Sequence, residues 1–131
     1  MVQAGAKGNT KSQINSVISK GASDNEIEEH YSRLYSQIMN ATGGVKSRIA
    51  NGFFANKQFQ IEKAYEKTIK EKYNAKVEAL DFGKAKESAK VIDNFISETT
   101  AGKIHDMVTE KTVQGTLPKQ VSYFVIANAN C

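Results

Sequence analysis

Apolar residues recur along this chain at two different spacings, which predict a mixture of helices and strands. Spacings of three and four residues predict four helices, over residues 10–21, 23–43, 60–73 and 84–100. Short apolar runs between turn-forming residues predict three strands, over residues 47–55, 75–82 and 121–129. Because helices and strands are interspersed, the predicted fold class is α+β, with about four helices packed on a three-stranded sheet.

Two helix starts are predicted from capping boxes, in which a hydroxyl residue is followed three positions later by Glu or Gln. Ser23 with Glu26 predicts one start, and Thr10 with Gln13 predicts another. The pair Gly43-Gly44 predicts the end of the helix that Ser23 begins. Two apolar stripes at helical spacing predict buried faces: Ile27, Tyr31, Leu34, Tyr35, Ile38 and Met39 on one helix, and Ala85, Ala89, Ile92 and Ile96 on another. Residues 104–117 are predicted to be irregular.

The dipeptide Asn51-Gly52 lies inside the strand predicted over residues 47–55. A glycine within a strand indicates a bulge or a close backbone approach, whereas Asn-Gly can also form a hairpin turn. Because the flanking runs are too short for two strands, we predict a single strand with a bulge at Gly52.

The segment 121–129 is apolar on both of its faces. Runs of this kind are typical of strands in the middle of a sheet that is covered on both sides. We therefore expect this strand to need neighbours that 131 residues do not supply, and we interpret the chain as one partial domain.

The net charge of +4 comes from 18 basic and 14 acidic residues. Lysines and acids alternate along residues 63–72, which is typical of a solvated helix face, so no nucleic-acid or membrane partner is expected. Weak binding of a nucleic acid or another polyanion remains a minor alternative. No signal peptide precedes the first helix, so a cytoplasmic location is expected if the chain is expressed as given.

Candidate chemistry is sparse. Cys131 is the single cysteine, so no internal disulfide or zinc cluster is expected. His30 and His105 do not occur in a catalytic-triad pattern, and no phosphate-binding loop is present. We therefore expect neither an enzyme nor a cofactor. Asn40-Ala41-Thr42 is a glycosylation sequon, which makes Asn40 a modification candidate if the chain is secreted.

Five short motifs follow one another between residues 5 and 129. They read Gly-Ala-x-Gly-x-Thr-x-x-Gln-Ile from residue 5, Ala-Asn-Gly-Phe-Phe from residue 50, Tyr-Asn-Ala with a later Asp-Phe from residue 73, Ile-Asp-Asn-Phe-Ile with Thr-Ala-Gly-Lys-Ile from residue 92, and Ile-Ala-Asn-Ala from residue 126. In this order the motifs resemble the serpin family of protease inhibitors, in which the fourth pattern reads Ile-Asn-x-hydrophobic-Val and Thr-x-Gly-Lys-Ile.

The resemblance implies inhibition of serine or cysteine proteases by covalent trapping, in which a cleaved reactive loop inserts beside the third strand of the central sheet. It implies that residues 121–129 form one wall of the insertion slot, that the helix over residues 84–100 lies across it, and that Asn128 occupies a shutter position under the sheet. The wall residues are Val121, Tyr123, Val125 and Ala127.

The resemblance covers the central helices and part of the central sheet of the family domain. The N-terminal helices, the reactive loop and the C-terminal sheets are not matched, so we expect no inhibition by this chain alone. Many family members are extracellular, which leaves the location open. An alternative is a regulatory fragment that pairs through an exposed sheet edge with another serpin or with itself.

Overall fold

The computed structural model describes the backbone of residues 1–44, 46–115 and 124–130, and the side chains of residues 1–44 and 46–114. These ranges contain six helices and three strands: α1 (Val2–Gly5), α2 (Gly8–Ile18), α3 (Asp24–Met39), β1 (Ile49–Asn56), α4 (Lys63–Tyr73), β2 (Ala75–Leu80), α5 (Ala85–Thr99), α6 (Glu110–Gly115) and β3 (Phe124–Asn130). The predicted α+β class, the three strands and the four longer helices are confirmed. α1 and α6 are additional short helices of 4 and 6 residues.

The three strands form one sheet in the order β2-β1-β3. β1 runs parallel to β2 and antiparallel to β3. The parallel pair requires a crossover, which α4 provides between the two strands. The middle position within the described residues therefore belongs to β1, whereas the sequence pattern had favoured residues 121–129 for it.

β1 is buried on both faces along its whole central part. Six consecutive residues, from Ala50 to Ala55, are buried, and only the two terminal residues are partly exposed. Because successive side chains of a strand point to opposite faces, Ala50 and Phe54 contact the α5 side, while Phe53 and Ala55 contact the α4 side. The sheet is thus a layer between two sets of helices.

Each face of the sheet has its own apolar core. The core on the α5 side consists of Ala50, Phe54, Leu80, Phe82, Ala85, Ala89, Ile92, Ile96 and Val113. The core on the α4 side consists of Phe53, Ala55, Ile69, Tyr73 and Ala75. The predicted inward stripe of α5 is confirmed, because all four of its residues are buried.

Gly52 marks a close approach of side chains and not a bulge. The pairing of β1 is continuous through Gly52 with both neighbouring strands, so the predicted bulge was wrong. A Cβ atom at this position would lie 2.5 Å from Cε2 of Phe54 and 3.0 Å from Cε1 of Phe95. Glycine is therefore required because two aromatic rings occupy the space of a side chain.

The ends of the helices agree only in part with the capping predictions. The Ser23 box is confirmed: Ser23 Oγ accepts from the Glu26 N–H at 3.3 Å, and Glu26 Oε2 accepts from the Ser23 N–H at 2.8 Å. α3 nevertheless ends at Met39, before Gly43. The Thr10 cap was wrong, because α2 begins two residues earlier, at Gly8, whose φ of +55° turns the chain into the helix.

The first three helices are joined largely by polar contacts. α2 and α3 bury none of their side chains fully, and Leu34, Ile38 and Met39 of the predicted α3 stripe are exposed. The buried Gln3 of α1 donates from Nε2 to Oδ1 of Asn15 at 3.0 Å and to Oδ1 of Asp24 at 2.8 Å. This amide therefore links α1 to α2 and α3.

The segment predicted to be irregular contains α6. Thr109 provides the start of this helix, since its Oγ1 accepts from the Thr112 N–H at 3.3 Å. Val113 then enters the core on the α5 side and is 3% exposed. A single apolar anchor and a threonine cap are too weak a pattern to predict a helix from sequence, which explains the omission.

We predict that Gly52→Ala destabilises the fold by about 1–3 kcal/mol, because the added methyl group overpacks the space between Phe54 and Phe95. The measurement is urea unfolding followed by circular dichroism. Gly83→Ala is the matched control: Gly83 is exposed, and a Cβ atom there would meet only Oδ1 of the partly exposed Asp81 side chain, at 3.1 Å, which can shift, so the free energy of unfolding should change by no more than about 0.5 kcal/mol. Equal effects of the two substitutions would contradict the close approach at Gly52.

Candidate functional site

The candidate site is the edge of the sheet formed by β3. Within the described residues, β3 pairs with β1 and with no other strand. The backbone register places Val125 opposite Phe54, Ala127 opposite Gly52 and Asn128 opposite Asn51. An edge strand presents unpaired N–H and C=O groups, which can pair with an added strand. The other two predicted wall residues, Val121 and Tyr123, lie outside the described residues.

The helix α5 lies across the face of the sheet next to this edge. Ile92 and Ile96 are both fully buried in the core that contains Phe54. The ring of Phe95 meets that of Phe54 edge to face, with centroids 5.8 Å apart, and Lys76 Nζ of β2 lies 5.3 Å from the Phe95 centroid. α5 is therefore fixed to the middle strand by aromatic and aliphatic contacts together.

The Thr-Ala-Gly-Lys-Ile motif forms the turn that leaves α5. Thr100 is completely buried, and its Oγ1 donates to the Ile96 carbonyl at 2.8 Å and accepts from the Ile104 N–H at 3.1 Å. Gly102 has a φ of +73°, and its N–H donates to the Ser97 carbonyl at 2.7 Å. The threonine hydroxyl and the glycine conformation thus end the helix and set the direction of the following segment.

A buried asparagine joins the opposite face of the sheet to two helices. Asn51 is 2% exposed, and its Nδ2 donates to Tyr31 Oη at 2.8 Å and to the Tyr73 carbonyl at 2.9 Å. Tyr31 belongs to α3, and Tyr73 is the last residue of α4. The sequence predicts Asn51 as part of a bulge and of the second motif but does not reveal this junction; a polar residue inside an apolar strand is the signal that points to it.

The tyrosines of this region extend the same junction. The rings of Tyr31 and Tyr73 have centroids 4.7 Å apart. Burial of Tyr73, together with the negative charge of Glu28, raises its pKa to about 12, so its hydroxyl is neutral at physiological pH. Tyr35 Oη accepts from Asn74 Nδ2 at 2.6 Å on the exposed side. Two tyrosines of α3 thus form separate hydrogen bonds: Tyr35 with the residue that follows α4, and Tyr31 with the middle strand.

The remaining sequence candidates lie apart from this site. Both histidines are exposed, and each contacts a residue close to it in sequence. Nδ1 of His30 lies 3.0 Å from Nη2 of Arg33, and Nδ1 of His105 lies 2.7 Å from Oδ2 of Asp106. Asn40 is exposed at the C-terminal cap of α3. In the described part of the chain, no three His, Cys, Asp or Glu side chains are grouped as metal ligands would be.

Positive and negative charges are intermixed on the surface. Within the described residues, ion pairs join six lysines to acids: Lys7 with Glu62, Lys11 with Asp24, Lys57 with Asp81, Lys70 with Glu66, Lys76 with Glu78, and Lys84 with Glu87. This mixture of signs gives no support to a polyanion-binding surface. None of the helices in the described ranges combines the length and the apolar character needed to cross a membrane.

Comparison with known proteins identifies the family. The family model for Serpin (serine protease inhibitor) matches residues 1–125. This chain belongs to the serpin family. Serpin B6 of Pongo abelii is 32% identical over 116 residues, and Ipis-1 of Ixodes persulcatus is 28% identical over 114 residues; each match covers 86% of this chain.

Solved serpin structures share the fold. The native stressed conformation of AtSerpin1 from Arabidopsis superposes with a TM-score of 0.85 at 26% identity and covers 98% of this chain. Serpin-12 of Manduca sexta superposes with a TM-score of 0.83 at 21% identity. The chain spans about 30% of the length of the curated relatives and 32% of AtSerpin1, so it corresponds to part of a serpin domain.

We predict that Tyr31→Phe destabilises the fold by about 0.5–1.5 kcal/mol, because it removes an acceptor from the buried Asn51 amide. The control is Tyr35→Phe, which removes a hydroxyl at an exposed position and should cost less. Urea unfolding of both variants measures the difference. A larger loss for Tyr35→Phe would show that the junction at Asn51 does not join α3 to the sheet.

Proposed function

We propose that this chain serves a serpin inhibitor of serine or cysteine proteases by supplying one wall of the loop-insertion slot and the helix that lies across it. The observation that supports this proposal best is the edge position of β3 in the order β2-β1-β3. In the serpin mechanism, a protease forms an acyl-enzyme with the reactive loop, and the cleaved loop then enters the central sheet as a new strand.

The packing around β1 suits a fixed wall. When a strand inserts beside β3, the strand on the far side of the slot must move while β3 stays in place. β3 therefore needs a firm attachment at the edge that is paired with β1. β3 is paired with β1 along seven consecutive positions, and β1 is held by β2 on its other edge and by cores on both faces. Insertion beside β3 therefore leaves the β2-β1-β3 layer intact.

Asn128 is proposed as the shutter residue of this wall. Its backbone is opposite Asn51, whose side chain binds Tyr31 and the end of α4. Two asparagines in register give this point of the sheet a polar character within apolar strands. Movement of β3 at Asn128 would therefore disturb the pairing with Asn51 and the hydrogen bonds from Asn51 to Tyr31 and Tyr73. A residue that controls the opening of the sheet would act through such contacts.

These 131 residues are not expected to trap a protease by themselves. The matched portion of the family domain stops at the third strand of the central sheet, and by resemblance the bait loop lies beyond it. A wall without a bait offers a protease no bond to attack in the trapping geometry, so cleavage of this chain should follow the ordinary course of substrate hydrolysis.

The test is incubation of the 131-residue chain with trypsin, chymotrypsin, elastase and papain, followed by denaturing electrophoresis. We predict no complex that survives SDS, whereas a complete inhibitory serpin in parallel gives a covalent band. A stable band between this chain and any of the proteases would overturn the proposal that the trapping bait lies outside it.

A second candidate function is pairing of the β3 edge with another serpin or with a second copy of this chain. The observation in its favour is again the edge, because β3 has the backbone of an open strand within the described residues, whereas the β2 edge carries the charged pair Lys76 and Glu78. Charges on an edge strand discourage pairing, so β3 is the better template.

This candidate predicts self-association that depends on concentration. Size-exclusion chromatography with light scattering should show dimers or larger species that dissociate on dilution. A peptide with the sequence of residues 124–130 should compete with the association, and a scrambled peptide of the same composition should not. A monomer over the whole concentration range, unaffected by either peptide, would exclude pairing between copies of this chain.

A further inference from the structure

One carboxylate of α5 accepts three backbone hydrogen bonds from a distant segment of the chain. Oδ1 of Asp93 accepts from the N–H groups of Met107 at 2.8 Å and Val108 at 3.3 Å, and Oδ2 accepts from the N–H of Asp106 at 3.0 Å. Three consecutive N–H groups that converge on one anion form a backbone nest of the kind that binds phosphate or carboxylate ligands. Here the ligand is the protein's own side chain.

The segment that donates these bonds has few other attachments. Met107 is 50% exposed, and Val108 is only partly buried against the core of α5. Asp106 has a φ of +56°, a left-handed conformation that a residue with a side chain seldom adopts. Residues 106–108 connect the turn at Thr100 to α6, so the hydrogen bonds to Asp93 define the path of this connection.

The charged groups around Asp93 come from both sides of the contact. His105, next to the donor segment, lowers the pKa of Asp93 when its imidazole is protonated, and its Nδ1 lies 2.7 Å from Oδ2 of Asp106. On α5, Lys90 lies almost one turn before Asp93, and α6 begins with Glu110 and Lys111. These are the charged neighbours of the contact in sequence, and the three N–H donors are directed at Asp93.

The balance of these effects favours the ionised form. Partial desolvation opposes ionisation, but the three N–H donors and His105 outweigh it and hold the pKa of Asp93 below its ordinary value. A carboxyl group with a lowered pKa in the folded state stabilises the fold above its unfolded pKa of about 3.9, and this stabilisation is lost as the pH falls through the folded pKa.

The serpin pattern has asparagine at this position, as Ile-Asn-x-hydrophobic-Val, where this chain has Ile92-Asp93. An asparagine amide offers one acceptor oxygen, and its nitrogen is a donor. It cannot accept three N–H groups with both of its terminal atoms, as the carboxylate does here. Replacing the amide nitrogen of asparagine by the second carboxylate oxygen of Asp93 therefore changes a neutral acceptor of these hydrogen bonds into a charged one.

We propose that Asp93 is an anionic clamp that fixes the connection between α5 and α6 through charge-assisted hydrogen bonds to residues 106–108. Hydrogen bonds to a charged acceptor are roughly twice as strong as neutral ones. The clamp is closed at neutral pH and opens only in acid, when the carboxylate takes up a proton and one oxygen becomes a donor.

The test follows the backbone amides of residues 106–108 in the whole chain by NMR. In the unaltered protein, we expect these three amide resonances to titrate together, with a midpoint below the ordinary pKa of an aspartate. In Asp93→Asn, this titration should disappear, and amide hydrogen exchange at Met107 and Val108 near neutral pH should become about tenfold faster. The variant is nearly isosteric, and the family pattern itself carries asparagine there.

Asp81→Asn is the matched control. Asp81 also accepts a backbone hydrogen bond, from Gly83 at 3.1 Å, and pairs with Lys57, but it does not contact residues 106–108. This variant should leave their titration and exchange unchanged. The proposal is overturned if the amides of residues 106–108 in the unaltered chain are unprotected or do not titrate, or if Asp93→Asn accelerates exchange equally throughout the chain.

Discussion

Burial of β1 on both faces is the constraint on which the rest of the structure depends. A strand with six consecutive buried residues must satisfy every backbone group through its neighbours, so β2 and β3 are both required. Its side chains must also be covered twice, by α5 over Phe54 and by α4 over Phe53. Two of these six residues are not apolar side chains. Gly52 leaves space for the rings of Phe54 and Phe95, and Asn51 forms hydrogen bonds to α3 and α4.

Sequence reasoning succeeded for the stripe of α5 and the box of Ser23 with Glu26, which depend on spacings of three and four residues that the sequence displays directly. The equally local box at Thr10 was wrong, and half of the predicted α3 stripe is exposed. Sequence reasoning also failed where the deciding contact was distant in the chain. Asn51 is explained by Tyr31 and Tyr73, and the position of β1 in the middle of the sheet depends on two strands that both come later in the sequence, β3 by more than 60 residues. The serpin motifs supplied the family, but spacing alone did not show why each residue is needed.

The structure gives physical meaning to several of those motifs. The threonine and glycine of the fourth motif end α5 through Thr100 and Gly102, and the asparagine of the second motif is the buried donor Asn51. The proposed clamp at Asp93 belongs to the same region, because it directs the chain that leaves Thr100. These contacts fix α5 and β1, and β1 is the strand to which the proposed wall strand β3 is paired, so the wall of the slot is attached to a strand that is covered on both faces.

Amide hydrogen exchange across the whole chain tests the role of β1 most directly. If β1 is the doubly covered centre, its amides from Ala50 to Ala55 should exchange more slowly than all others in the described residues, at the rate set by global unfolding. The amides of α2, which buries no side chain fully, should exchange by local opening and much faster. Exchange of β1 as fast as that of α2 would contradict the account, because the strand would then not be the element that holds the two cores together.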